Sequence, residues 1–301
     1  MKSQKINFLI FFFLTAITVA DAQEKPVKNN KLFTQNDLKL ISANFSFTEG
    51  PSVNKKGDVF FTDQPDDKIW KYTTTGELSI FLSKSGRANG TYFDKNGNLM
   101  VCADEKGEIW SIDPTGKTKV IVKDLYGIQL NGPNDLWLDR KGGIYFTDPY
   151  YQRSYWKRTA PDLATESVYF LPKGTNVIKL AADSLQRPNG IVGTPDGKYL
   201  YVSDASAGKT YRYNISVNGE LTSKRLFIDK GSDGMTLDRN GNIYLTGDGV
   251  AIYSSEGKAI GHIVVPGGTT NLCFAGKKRN ILFITARKSI YTIPMKVKGV
   301  E

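Results

Sequence analysis

The chain has 301 residues, 40% hydrophobic and 23% charged, with 29 Gly, 15 Tyr, 16 Phe, 2 Cys and 1 His. This composition excludes a disordered, collagenous or polytopic membrane chain, a disulfide scaffold and a Cys-rich zinc site, and the single imidazole, His262, argues against Ser-His-Asp chemistry or a His-built zinc centre. The net charge of +10 comes from lysines scattered among acids, so it implies surface solubility and no nucleic-acid partner.

Lys2 and Lys5 form a basic segment ahead of an apolar run from Ile6 to Ala20, and Ala20-Asp21-Ala22 has a small-x-small cleavage pattern. Residues 1–22 are therefore expected to be a signal peptide, because the run is shorter than the roughly 20 residues a spanning helix needs. Export to the periplasm or medium follows, with no stable membrane insertion of the mature chain. Residues 23–36 read as a linker and 37–301 as one catalytic domain. Cys102 and Cys273 lie among strand-like apolar residues, which leaves open both buried free thiols and a bridge.

After the linker a turn glycine followed by a strand recurs, as in Lys56-Gly57-Asp58-Val59-Phe60-Phe61 and Asn96-Gly97-Asn98-Leu99-Met100-Val101, and again at Gly142, Gly197 and Gly241. A spacing of roughly 40–55 residues is that of propeller blades. A sixth copy, Lys278-Arg279-Asn280-Ile281-Leu282-Phe283, lacks the glycine. Each copy adds a short aromatic strand, such as Ile69-Trp70-Lys71-Tyr72 or Thr210-Tyr211-Arg212-Tyr213. With the strand before the glycine and an outer strand, each repeat is a four-stranded antiparallel sheet. The sixth copy runs out one strand short, and Leu38-Lys39-Leu40-Ile41 is expected to supply it. The expected fold is all-β, a six-bladed propeller whose last blade is closed by an N-terminal strand.

Eight residues before each turn glycine stands an oxygen-bearing side chain: Glu49, Asn89, Asn134, Asn189 and Asp233, with Asn271 eight before Arg279. Rotation about the propeller axis relates these positions, so they should precede the innermost strands and point into one mouth of the tunnel. A ring of two carboxylates and four amides, without thiolate or imidazole, suits a hard cation, and Ca²⁺ better than Mg²⁺. The competing possibility is that Asn-Gly and Asp-Gly pairs serve only as turns.

Thr48-Glu49-Gly50-Pro51, Asn131-Gly132-Pro133-Asn134-Asp135 with Tyr145-Phe146-Thr147-Asp148-Pro149, Arg187-Pro188-Asn189-Gly190, Asp233-Gly234-Met235 and Thr270-Asn271-Leu272-Cys273-Phe274 together resemble the gluconolactonase, senescence marker protein and luciferin-regenerating-enzyme family of six-bladed propellers. The resemblance covers about residues 40–295. It implies that Glu49, Asn134, Asn189 and Asp233 hold a catalytic divalent ion, and that Asn89 and Asn271 orient substrate or support the ring. The implied activity is hydrolysis of a sugar lactone such as gluconolactone. Zn²⁺, Mn²⁺ and Mg²⁺ remain alternatives to Ca²⁺.

A divalent ion would polarise a lactone carbonyl and acidify water, and Asp233 is the expected proton acceptor, with Glu49 the alternative. Arg87 and Arg187, just upstream of ring residues, are candidates for a polyol or a product carboxylate, against a role in surface ion pairs. The insertion from Tyr150 to Glu166 is either a lid over the mouth or a solvated loop. Two other functions stay open at this level: phosphotriester hydrolysis on the same ring, and a non-catalytic binding propeller stabilised by the ion.

Overall fold

The computed structural model describes residues 30–300; the expected signal peptide falls outside them. Apart from a 3-10 turn at Gln35–Asp37, the regular elements of the described residues are antiparallel strands in six four-stranded sheets. From the innermost strand outwards, blade 1 is Thr48–Val53, Val59–Asp63, Lys68–Tyr72 and Leu78–Ser83, and blade 2 is Ala88–Phe93, Leu99–Ala103, Glu108–Ile112 and Thr118–Val122. Blade 3 comprises Leu136–Leu138, Ile144–Asp148, Ser167–Leu171 and Lys179–Ala182; blade 4 comprises Pro188–Gly193, Tyr199–Asp204, Lys209–Ile215 and Leu221–Ile228. Met235–Leu237, Ile243–Gly247, Gly249–Tyr253 and Ala259–Ile263 form blade 5. Blade 6 has Asn271–Ala275, Ile281–Ala286 and Ser289–Pro294, and Lys39–Ser42 is its outer strand, pairing Lys39 with Thr292 and Leu40 with Tyr291. The expected closure is present, and it leaves no blade with a missing edge.

The second strands explain why these sequences choose this fold. Val59–Asp63, Leu99–Ala103 and Ile144–Asp148 are buried at every position, because both faces of a blade pack against neighbouring blades. Their near-continuous β-branched and aromatic runs satisfy that demand. Phe61 meets Phe283 of blade 6 with ring centroids 5.5 Å apart, so the contact that hides two aromatic rings also joins the first blade to the last. Burying one such ring contributes about 2–3 kcal/mol. The outer strands Leu78–Ser83 and Lys179–Ala182 contain no buried residue.

The turns between the first two strands of each blade share one hydrogen bond, from the N–H of Gly57, Gly97, Gly142, Gly197, Gly241 and Arg279 to the carbonyl three residues earlier. Arg279 takes the glycine's left-handed backbone, φ 55°, and offsets part of that cost by donating its guanidinium to the Gly276 and Asn54 carbonyls, both at 2.7 Å. The degenerate sixth repeat is therefore a sixth turn of the same geometry.

The linker assignment needs correcting over 30–36. Phe33 is completely buried and bridges to Met295, and the Gln35 side chain exchanges hydrogen bonds with Val264 at 2.9 and 3.0 Å. The polar composition hid one apolar pair, Leu32-Phe33, which packs on blade 6. At the other terminus Gly299 donates to the Arg279 carbonyl at 2.8 Å and Val300 to Leu237 at 3.3 Å. Val300 lines a central cavity of about 150 Å³ that reaches up to Asp135 and Asn271.

Candidate active site

The innermost strands bring the predicted side chains to one end of the tunnel. Glu49, Asn89, Asn189 and Asn271 lie inside their innermost strands, whereas Asn134 and Asp233 stand two residues ahead of theirs. The expectation that all six precede the strands is thus corrected for four of them. For Glu49, Asn89 and Asn189 the reason is a β-bulge, since the register shifts between Glu49 and Ser52, between Ala88 and Thr91, and between Pro188 and Ile191, whereas Asn271 pairs in regular register with Thr285 as the first residue of its strand. A bulge lets pairing begin before the ring residue and re-aims its side chain. The following glycine is there for space. A Cβ on Gly50 would lie 2.1 Å from the Asn89 carbonyl oxygen, and Gly50 has φ 44°. Glu49-Gly50, Asn89-Gly90 and Asn189-Gly190 are bulges within blades 1, 2 and 4, not hairpin turns.

Hydroxyls on neighbouring strands then fix the backbone of the ring. Thr62 donates to the Asn89 carbonyl at 3.0 Å, Thr147 to Asn189 at 2.8 Å, Thr270 to Thr48 at 2.7 Å, and the Gly90 N–H to Asn134 at 2.7 Å. Asp63 and Asp148 hold the loops leading into their own innermost strands: Asp63 accepts Phe47 N–H at 2.8 Å, and Asp148 accepts Asn131 and Gly132 N–H at 2.9 and 2.8 Å. Burial pushes the Asp148 carboxyl up to about 7 despite those two donors.

Glu49, Asn89, Asn134, Asn189 and Asn271 are buried, and Asp233 is half-buried, so Asp233 is the carboxylate nearer the mouth. Burial, followed by the charge of Asp233, raises Glu49 well above the ordinary carboxylate range. Asp233 is also raised by burial, which hydrogen bonds from Asn189 and Glu49 only partly offset. Two carboxyls that close share a proton when no cation lies between them.

A third acid, Asp135, lies outside the eight-residue count from the turn glycines. It is buried, receives Asn271 Nδ2 at 3.4 Å and Leu136 N–H at 2.9 Å, acts on the charge of Glu49, and is pushed up to about 7, first by burial. The available signal was a broken pattern. Ring residues in blades 1, 2, 4 and 5 are followed by glycine, whereas Asn134 is followed by Asp135.

These residues fit a hard divalent cation. Glu49, Asn134, Asn189 and Asp233 each offer a carboxylate or amide oxygen, and neither Glu49 nor Asp233 has an ion pair among the described residues, while the neighbouring Asn89 Oδ1 is buried without a hydrogen-bond partner and open to a ligand. Among those residues no group of three or more His, Cys, Asp or Glu side chains is disposed around a common metal position, so the fit rests on amides as much as on carboxylates.

The insertion begins where the second strand of blade 3 ends, on the ring side, and it reaches the ring. Asn189 Nδ2 donates to the Tyr151 hydroxyl at 3.2 Å, and the guanidinium groups of Arg153 and Arg187 lie 5.6 and 5.2 Å from the Tyr151 ring centroid. Arg87 sits 4.7 Å from the Tyr155 ring and donates to the Pro65 carbonyl. Neither Arg87 nor Arg187 forms an ion pair among the described residues, and both hold left-handed backbone, φ 54° and 71°. Non-glycine residues in that region cost about 1–2 kcal/mol, and such strain concentrates at functional sites. His262 lies in the outer strand Ala259–Ile263, away from the ring, and Cys102 and Cys273 are buried and form no disulfide among the described residues.

Fold and ring define the class: a six-bladed propeller with its polar chemistry gathered at one mouth of the central tunnel. The chain belongs to the family described as SMP-30/Gluconolactonase/LRE-like region, whose model matches residues 47–288. It is 30% identical over 294 residues to a gluconolactonase of Zymomonas mobilis, covering 87% of this chain and 82% of that relative. It is 28% identical over 239 residues to the lactonase drp35 of Staphylococcus aureus, covering 73% and 70%. Among solved structures, a gluconolactonase from Xanthomonas campestris superposes with a TM-score of 0.81 at 29% identity, covering 86% of this chain and 89% of that one. The calcium-binding protein regucalcin of Agrobacterium tumefaciens superposes with a TM-score of 0.73 at 19% identity, covering 86% and 94%, which shows the shared fold alone.

Proposed function

We propose that this protein is an exported, divalent-cation-dependent hydrolase of sugar lactones, with Ca²⁺ the preferred ion. The observation that carries the reading is the facing pair Glu49 and Asp233, set among amide oxygens with Asn89 Oδ1 left without a partner. Gluconolactonase and lactonase relatives support the substrate class.

Glu49, Asn134, Asn189 and Asp233 would hold the ion, which when bound supplies electrophilic polarisation of the lactone carbonyl. The remaining work falls to the chain. Asp233, the less buried carboxylate, accepts the proton of the attacking water at a carboxylate oxygen. Asn89 Oδ1 accepts from a substrate hydroxyl, Asn271 positions Asp135 beneath the ring, and Arg87 and Arg187 stand at the rim to meet a polyol or the product carboxylate. The insertion excludes bulk water from the mouth.

Export rests on Lys2, Lys5, the Ile6–Ala20 run and Ala20-Asp21-Ala22. Among the described residues no helix is long and apolar enough to cross a membrane. The mass of the protein recovered from the periplasm or medium tests this part, and a chain beginning at Gln23 is expected.

The deciding experiment for the activity is a lactone panel on metal-depleted and metal-restored protein. Acid release from gluconolactone should vanish with chelation and return with Ca²⁺. Turnover insensitive to chelation would end the cation mechanism, and calcium-dependent melting without turnover would mark a binding propeller. A chromogenic phosphotriester assayed in parallel separates the remaining alternative.

A further inference from the structure

The insertion of blade 3 has almost no apolar anchor, for Leu163 is its one buried residue. What fastens it is polar and belongs to another blade. Asp104, one residue past the second strand of blade 2, has a side chain only 1% exposed. Its carboxylate accepts Arg153 Nε at 2.9 Å, the Tyr155 hydroxyl, and Gln64 Nε2 at 3.2 Å, while its carbonyl accepts the Trp156 indole N–H at 3.2 Å. Three insertion residues therefore converge on one acid. Asp104 stands one position beyond the strand-end site from which Asp63, Asp148 and Asp204 hold loops of their own blades. It does not belong to that repeated device.

The fastened residues flank the ones that face the ring. Tyr151 meets Asn189, and Arg153 leans on Tyr151 while its charge acts on Asp233. With the insertion down, the roof of the mouth is a phenol hydroxyl, a guanidinium and an amide. A hydroxylated ligand can satisfy these groups. An apolar one leaves them desolvated and unpaired, which is how a polar site rejects a ligand.

We propose that Asp104 is a positioning residue that latches the 150–166 insertion over the ring as a lid, and that the latched lid selects hydroxylated lactones over apolar ones. The inference rests on the lactonase reading for its substrates, though not for the latch itself. The test uses the mature, metal-restored protein with Asp104→Asn, and with Tyr155→Phe, which removes one latch hydrogen bond, as a second variant in the lid should the first fail to fold. Hydrogen exchange across residues 150–158 is followed beside kcat and KM for gluconolactone and for an aromatic lactone, dihydrocoumarin.

Expected are about tenfold faster exchange in that segment with blade strands unchanged, a gluconolactone KM raised about tenfold with kcat within about threefold, and an about tenfold fall in the gluconolactone-to-dihydrocoumarin ratio of kcat/KM. The double variant should lose no more than either single one. Unchanged exchange in the insertion overturns the latch, and equal losses on both lactones overturn the selectivity. If the parent protein hydrolyses neither lactone, the lactonase reading falls, and the exchange result alone decides the latch.

Discussion

The two ends of the tunnel are built on opposite terms. At the turn end local rules are mostly obeyed: Asp94 Oδ1 accepts the Asn96 and Asn98 N–H groups at 2.8 Å each, Asp238 Oδ1 accepts Asn240 and Asn242 at 2.9 and 3.0 Å, and glycines carry five of the six left-handed turn positions, with Arg279 in the sixth. At the mouth those rules are broken. Carboxyls sit together with their protonation pushed up, arginines take left-handed backbone, and strands bulge. One end minimises free energy locally, and the other holds costly groups in place through contacts between blades. Violations concentrated at one end of a repeating fold mark where function resides.

The contrast is most exposed at the ring carboxylates. Glu49→Gln and Asp233→Asn should each lower kcat/KM for gluconolactone about a thousandfold. In metal-depleted protein the same substitutions should raise the melting temperature, since each removes one of two repelling acids. Normal activity in either variant breaks the comparison at its centre.

Next comes Asp148, buried behind the mouth. Its folded carboxyl keeps its proton up to about 7, while the unfolded group releases it near 3.8. The folded state therefore binds more protons between those values, and this group's stabilisation is full below the lower value and falls as pH rises through the window. The change is on the order of 4 kcal/mol. Urea unfolding from pH 4 to pH 8 should show the gap between the parent and Asp148→Asn narrowing as pH rises, and a constant gap would contradict the assignment.

Glycine substitutions compare the two ends directly. Gly50→Ala forces a Cβ to 2.1 Å from the Asn89 carbonyl oxygen and should cost about 3 kcal/mol. Gly97→Ala, at the turn end with φ 90° and no atom within 4 Å, bears only the left-handed penalty, about 1 kcal/mol. Denaturant midpoints check both, and equal losses would show that the mouth is packed no more tightly than the turns.

Much of the site was legible because repetition carries phase. Glu49, Asn89, Asn134, Asn189, Asp233 and Asn271 could be placed on one ring by counting back from the turns, and even Arg279 kept the count. Asp135 escaped because its chemistry depends on Asn271, 136 residues away, and no local pattern encodes that pairing. Asp104 escaped for the same reason, its partners in the insertion lying 49 and 51 residues on. Phe33 was hidden by a polar neighbourhood and revealed by the bridge to Met295.

The sequence by itself determined the blade count, the strand that closes the ring of blades, and the phase at which oxygen-bearing side chains recur, since period and turn chemistry are local properties of the chain. Only the tertiary structure decided which carboxyls share a field, which blade anchors the insertion, and which of two ring acids reaches the mouth. Burial and electrostatic coupling depend on distances between segments that the linear order leaves unspecified.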